Sequence, residues 1–192
     1  AGTAGGTSDI LFYGFQQEVG SYPTSYIPTY SVSATRAYDV FAKTSASSII
    51  NSEEGTAFVD FTLNGLTNFG TPLSLNDGSQ SNYIWLTIFG NGNLRAELWN
   101  GSVQAQISYS GAVSGGRYKM AFGYAQNDFV LYVNGTQVGT DNSGATFSAN
   151  TLSRIDSNNL TPSLSVSAYG MNQLAIYKEK LTNAELATLT TI

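Results

Sequence analysis

The clearest pattern along the chain is an alternation of apolar and polar positions, repeated in short runs separated by turn residues. Between Arg117 and Asp141 it predicts three antiparallel strands. A four-residue loop, Ala125 to Asp128, pairs Tyr124 with Phe129, Phe122 with Leu131 and Met120 with Val133. Asn134-Gly135 then supplies the two φ > 0 residues of a type I′ turn, so Val133 meets Thr136 and Leu131 meets Val138. Facing residues of an antiparallel pair lie on the same side of a sheet. Both turns therefore place Met120, Phe122, Leu131, Val133 and Val138 on one buried face, with Ala121, Gly123, Val130, Tyr132 and Gln137 opposite.

A second meander is predicted from Tyr83–Phe89, Asn93–Trp99 and Ser102–Tyr109. A two-residue Asn91-Gly92 turn would oppose Ile88 and Arg95, so the pattern selects a three-residue loop, Gly90-Asn91-Gly92, with Gly92 left-handed. Ile88 then faces Leu94, Leu86 faces Ala96 and Ile84 faces Leu98. Asn100-Gly101 as a two-residue turn would pair Leu98 with Val103, Ala96 with Ala105 and Leu94 with Ile107. The outward face follows by subtraction: Tyr83, Trp85, Thr87, Arg95, Glu97, Trp99, Gln104, Gln106 and Ser108.

Around these meanders the signals are simpler. Residues 1–8 read as a linker and Asp9–Gln17 as one isolated strand, followed by a proline-restricted path to Pro28. A strand is expected within Ala37–Ile50, and Gly55–Leu63 sets Phe58, Asp60 and Thr62 against Val59, Phe61 and Leu63. Asn64-Gly65 and Asp77-Gly78 mark turns flanking Thr71–Leu75. Weak strands are expected at Thr146–Ile155 and Ser163–Tyr169, and a last strand at Met171–Tyr177. Thr182-Asn-Ala-Glu185 is a capping box with Leu181 and Leu186 as a staple, opening a helix to about Leu189.

These elements make an all-β, antiparallel sandwich with a short C-terminal helix, and they carry two resemblances. Tyr118-x-Met-Ala followed by Leu131-Tyr132-Val133-Asn134-Gly135 resembles the laminin-G-like branch of the concanavalin A-like jelly rolls, with Tyr118 where that family has Trp. Leu174-Ala-Ile-Tyr-Lys-x-x-Leu181-Thr-x-Ala-Glu-Leu186 resembles the closing strand and helix of the same family. It implies a jelly roll over residues 37–192, a fold shared by lectins, carbohydrate-binding modules, hydrolases, lyases and structural spacers. Separately, Gly14-x-Gln16-x-Glu18-x-Gly20, Pro23-Thr-Ser-Tyr-Ile-Pro-Thr29 and Thr35-Arg-Ala-x-Asp39-Val40 resemble a junction in tailed-phage structural proteins. That implies residues 1–36 are an arm or the end of a preceding domain; the alternative is a strand that augments this same sandwich.

Composition narrows the function. Charged residues are 11% of the chain, against about 25% in typical globular proteins. Net charge is −5 without a basic run, so nothing favours nucleic acid or an anionic membrane surface, and no apolar run of about 18 residues favours membrane insertion. His and Cys are both absent, which excludes Ser-His-Asp and Cys-His nucleophilic arrangements and a His/Tyr lyase pair. No Glu-x-Asp-x-x-Glu strand carries the paired carboxylates of a glycoside hydrolase, and Glu53-Glu54 read as a solvated turn. The chain is expected to be non-enzymatic. No cofactor is implied; loop residues Asp128, Asp141, Asp156, Asn127 and Asn142 could hold calcium, although turn roles explain them equally.

Sugars are bound by stacking their C–H faces on aromatic rings while planar polar groups take the hydroxyls. Tyr83, Trp85, Arg95, Glu97, Trp99, Gln104 and Gln106 offer both, and are the candidate glycan-binding residues. The competing expectation is that this face packs under a loop, the N-terminal segment or another subunit. The phage resemblance implies an exposed virion module (fibre, tail tip or head decoration) touching host-surface polysaccharide, other virion proteins or copies of itself. Two alternatives are a structural capsid or tail module without glycan binding, and a carbohydrate-binding module of a secreted bacterial glycan-processing protein.

Overall fold

The computed structural model describes residues 14, 15, 17, 26–28, 32–33, 41–63, 69–111, 115–157 and 169–192. Its strands and helix all lie in one compact unit, Asp39–Ile192. The expected linker at 1–8, the strand at 9–17 apart from isolated residues, the phage-like junction for the most part, the Asn64-Gly65 turn and all of the 163–169 strand except Tyr169 lie outside the described residues.

Eleven strands are described: β1 (Ala42–Lys43), β2 (Gly55–Leu63), β3 (Gly70–Asn76), β4 (Asn82–Ile88), β5 (Leu94–Asn100), β6 (Val103–Tyr109), β7 (Gly116–Ala125), β8 (Asp128–Val133), β9 (Thr136–Asp141), β10 (Arg154–Asp156) and β11 (Tyr169–Tyr177), followed by α1 (Asn183–Thr190). They form two antiparallel sheets. One has the order β1-β10-β3-β4-β5-β6, the other β11-β2-β7-β8-β9. Strands that alternate in and out bury one side of each sheet against the other, which is the sandwich solution for two half-apolar sheets.

The inward rows are those the alternation predicts. Ile84, Leu86, Ile88, Leu94, Ala96 and Leu98 of the first sheet meet Val59, Phe61, Met120, Phe122, Leu131 and Val133 of the second in a single core. The β7–β8 register is as expected, with strand pairing running on to Ala125–Asp128 and only Gln126-Asn127 left in the turn. Asn134 (φ +49) and Gly135 (φ +79) take the left-handed conformations of the predicted hairpin turn. Here the register departs from expectation: a bulge at Val138, between the Tyr132–Gln137 and Leu131–Gly139 pairs, leaves Val138 unpaired, although Val138 still packs on the core.

The outer side of the second sheet is not open. Phe58, Ala121, Val130 and Tyr132 form a second apolar cluster capped by Leu186 of α1, with Leu181, Ala187 and Leu189 around it. The capping box is formed: Glu185 N–H donates to Thr182 Oγ1 (3.3 Å) and Thr182 N–H to Glu185 Oε2 (2.8 Å). An eight-residue helix is too short to hold itself in water, so this apolar contact and the cap hold it.

Two expected strands shrink. Within 37–50 only Ala42–Lys43 is extended among the described residues. Ser45 turns left-handed (φ +56) and Ile50 N–H donates to Ala46 C=O (3.0 Å), so one helical turn buries Ala46 and Ile50 together. Within 146–155 only the end, from Arg154, is strand. Thr151 and Ser52 hydroxyls bond the backbone there instead (Thr151 Oγ1–H to Ser148 C=O, 2.7 Å; Leu152 N–H to Ser52 Oγ, 2.9 Å), competing with a ladder while Phe147 and Leu152 stay buried.

Beyond the helix, the same outer side carries one buried acid. Asp60 on β2 is closed off from solvent and accepts from Arg117 Nε (3.0 and 3.2 Å) and from Asn172 Nδ2 (3.0 Å). The hydrogen bond from Arg117, more than the opposing effect of burial, holds its carboxyl below the usual carboxylate range. A folded pKa below the unfolded one adds stability above the ordinary carboxylate range of about 4, and that stability is lost as pH falls through the folded value. Arg117→Met should therefore lower the melting midpoint at pH 7 by a modest amount, since water screens the half-exposed guanidinium. It should also flatten the fall in midpoint between about pH 5 and pH 2. Melting curves across that range that superimpose in shape for the two proteins would count against the pair.

Candidate functional site

The first sheet has its outer side free of the helix, and the pairing across it fixes what that side presents. Asp156 lies opposite Ser74, Ser74 opposite Trp85, Trp85 opposite Glu97 and Glu97 opposite Gln106, so one row crosses five strands. A second row runs Arg154, Asn76, Tyr83, Trp99, Val103, and a shorter one Thr87, Arg95, Ser108. The three-residue Gly90–Gly92 loop, closed by Gly92 N–H to Phe89 C=O (2.9 Å) with Gly92 at φ +82, sets this register as predicted.

The β5–β6 register is corrected. Asn100, Gly101 (φ +71) and Ser102 form a three-residue loop, so Trp99 pairs with Val103, and a bulge at Gln104 restores Ala105 opposite Leu98. The two-residue shift keeps Ala105 and Ile107 inward, because side-chain parity survives an even slip. It turns Val103 outward, where it is 48% exposed. Gln104 leaves the face for the sheet edge: Ala145 N–H donates to its Oε1 (3.0 Å) and its Nε2 donates to Ser102 Oγ (2.8 Å).

The remaining six candidates form one cluster. Tyr83 stacks on Trp85 (ring centres 3.7 Å apart, 15° between planes) and on Trp99 (6.0 Å, 7°). With 6% exposure it offers no ring surface to a ligand; it spaces the two half-buried indoles. Its hydroxyl donates to Glu97 Oε1 (2.8 Å), and burial followed by this acidic neighbour pushes the phenol far above its ordinary pKa. Arg95 Nη1 donates to Glu97 Oε2 (2.9 Å) and to Gln106 Oε1 (2.8 Å), and its guanidinium lies 4.1 Å over the Phe89 ring. Trp85 Nε1 is buried and finds no acceptor among the described residues. The predicted Arg95–Glu97 ion pair is present.

The polar end of this face was not foreseen from the sequence. Asn76 Nδ2 donates to Ser74 Oγ (2.8 Å) and Asp156 Oδ2 (3.1 Å), and Arg154 Nε donates to Asp156 Oδ2 (2.7 Å), all beside Trp85 and Tyr83. The signal was the alternation of β3, whose polar Ser74 and Asn76 mark its outer side. Asp156, expected in a loop, is a buried strand residue. Of the other acids considered for calcium, Asp128 pairs with Lys180 Nζ (2.8 Å) and Asp141 accepts from Ser143 N–H and Oγ. Among the described residues no three His, Cys, Asp or Glu side chains gather as a metal site.

Two antiparallel sheets, the helix on one outer side and an aromatic-polar sheet face on the other define a concanavalin A-like jelly roll. Residues 35–187 match the model of the concanavalin A-like lectin/glucanases superfamily, and the chain belongs to it. No curated protein matches the chain. Among solved structures it is similar to the CBM40 of the Ruminococcus gnavus IT-sialidase bound to α2,3-sialyllactose, at 17% identity and TM-score 0.64 over 77% of this chain and 87% of that one. It is also similar to the leech intramolecular trans-sialidase (13%, 0.63, over 77% of this chain and 24% of that one) and to the NanB sialidase of Streptococcus pneumoniae (12%, 0.63, over 79% and 26%). At these identities the likeness is one of fold.

Proposed function

We propose that this chain is a non-catalytic, extracellular glycan-binding module whose ligand face is the outer side of the β4–β5–β6 meander. The observation that carries it is the pair of half-buried indoles, Trp85 and Trp99, held parallel by Tyr83 beside the Arg95–Gln106 hydrogen-bonding pair. Both Glu97 oxygens are already engaged, by Tyr83 and by Arg95, so this carboxylate acts as a brace within the face. The similarity to a CBM40 supports the setting of a bacterial glycan-processing protein. The junction-like string within residues 14–40 supports a second setting, the virion surface of a tailed phage with host-surface polysaccharide as ligand.

A glycan array probed with the chain, followed by titration of the hits, tests the reading. Trp99→Ala should weaken binding at least about tenfold, equivalent to about 1.4 kcal/mol, with only a modest drop in melting temperature, since the half-buried ring loses its stack on Tyr83 but fills no part of the core. Gln104→Ala should leave affinity nearly unchanged, since its amide is spent on the 143–146 loop and on Ser102. A second reading, a structural module with this face in a protein contact, is favoured by Val103, exposed next to Trp99 on an edge strand. It predicts no hit on the array and the loss of self-association or particle assembly in Val103→Lys.

A further inference from the structure

We infer that the ligand of this face is an uncharged glycan, a neutral hexose or pentose polymer, and not a sialylated or uronic-acid one. The inference rests on the glycan-binding reading and names its ligand class. On a sheet face, where strand pairing occupies the backbone N–H groups that could otherwise hold an anion, strong recognition of a sugar carboxylate falls to a cation with no protein counter-charge, and the described part of this face holds none. Its two cations, Arg95 and Arg154, are each bonded to their own carboxylate, at 2.9 Å to Glu97 and 2.7 Å to Asp156. Lys43 lies on β1 in register with Ile155, which packs inward, so it is not on this face. The described cluster is therefore neutral in sum, within a chain of net charge −5 that repels polyanions at long range.

To reach Arg95, an anionic sugar would have to compete with Glu97. That carboxylate is 9% exposed and also accepts from Tyr83, so displacing it would strand a nearly buried charge and loosen the spacer between the indoles. The groups that remain suit hydroxyls. Beyond its Nη1, Arg95 has donors with no partner among the described residues, and the Gln106 amide nitrogen likewise keeps its hydrogens. Donors on a charge-compensated Arg95–Glu97 pair and on Gln106, beside two apolar ring faces, match a neutral pyranose, which offers C–H faces and hydroxyl oxygens and carries no charge to be compensated.

The test is calorimetric titration of the chain with neutral ligands (laminarin, xyloglucan, galactomannan, dextran, xylan) and acidic ones (3′-sialyllactose, polygalacturonate, alginate), each at low and high sodium chloride. The expected result is binding to a neutral glycan that changes less than about twofold with salt and is lost in Trp99→Ala. Glu97→Gln, which frees the Arg95 charge, should gain measurable affinity for an acidic ligand. Tighter binding of an acidic glycan by the unaltered chain, weakened by salt and dependent on Trp99, would overturn this inference while leaving the ligand face in place. Absence of any binding, or binding indifferent to Trp85→Ala and Trp99→Ala, would overturn the glycan-binding reading and this inference with it.

Discussion

Phe122→Ala should lower the unfolding free energy by about 3–5 kcal/mol, the usual cost of emptying a buried aromatic site, and the melting midpoint by roughly 6–20 °C. Phe122 is fully buried on β7, the middle strand of its sheet, and stacks on Tyr124 and Phe129, each with ring centres 6.3 Å away. A strand flanked on both sides and covered on both faces cannot shift to fill the void. Leu131 faces it across the β7–β8 ladder and adds to the same core. Urea denaturation with an unchanged m-value and a reduced midpoint would match the expectation. A loss under about 1 kcal/mol would mean that the core closes around the gap, against the packing of a braced central strand.

Gly144→Ala is expected to cost about 2–4 kcal/mol, from strain at a glycine-only conformation together with a clash. Gly144 has φ +121, and a Cβ there would sit 2.3 Å from the Gln104 carbonyl oxygen, a backbone atom that cannot swing aside. The 143–146 loop lies along the edge of β6, joined to it by Ala145 N–H to Gln104 Oε1 and to β5 by Asn100 Nδ2 to Thr146 C=O (2.7 Å). Pushing the loop away would release Gln104 and loosen the bulge that orients Val103 and Gln106. Stability should fall, whereas glycan affinity, measured at temperatures where the protein stays folded, should change much less, because Gln104 itself stands off the ligand face. A normal melting midpoint for Gly144→Ala would show that the loop yields freely.

The two effects differ in kind, and the difference bears on how the site is built. The core is braced by apolar contact, and the site by directed polar bonds on a rigid sheet. Tyr83 belongs to both: its ring keeps the indoles apart and its hydroxyl ties Glu97, which in turn holds Arg95. Removing the ring of Tyr83 would leave Trp85 and Trp99 without a common spacer. It is a positioning residue, reached by a ligand only through what it holds in place.

Much of this was legible in the chain itself, and for a definite reason. Where two turns flank alternating residues, register is over-determined, because a one-residue slip would put every apolar side chain in water. Ile84 with Leu98, Leu86 with Ala96 and Met120 with Val133 follow from that constraint alone, and so does the outward placement of Trp85, Arg95, Glu97 and Trp99. The capping box likewise needs only four residues of local chemistry. What only the tertiary structure decided are the features with no local signature. The bulges at Gln104 and Val138 each add one unpaired residue, and a parity rule is blind to a slip that a bulge absorbs. The covering of Ala121, Val130 and Tyr132 by a helix far along the chain, and the Asn76–Asp156–Arg154 cluster beside Trp85 and Tyr83, depend on elements distant in sequence meeting on a sheet. Alternation specifies which side a residue faces; what lies on that side is set by the packing of the whole sandwich.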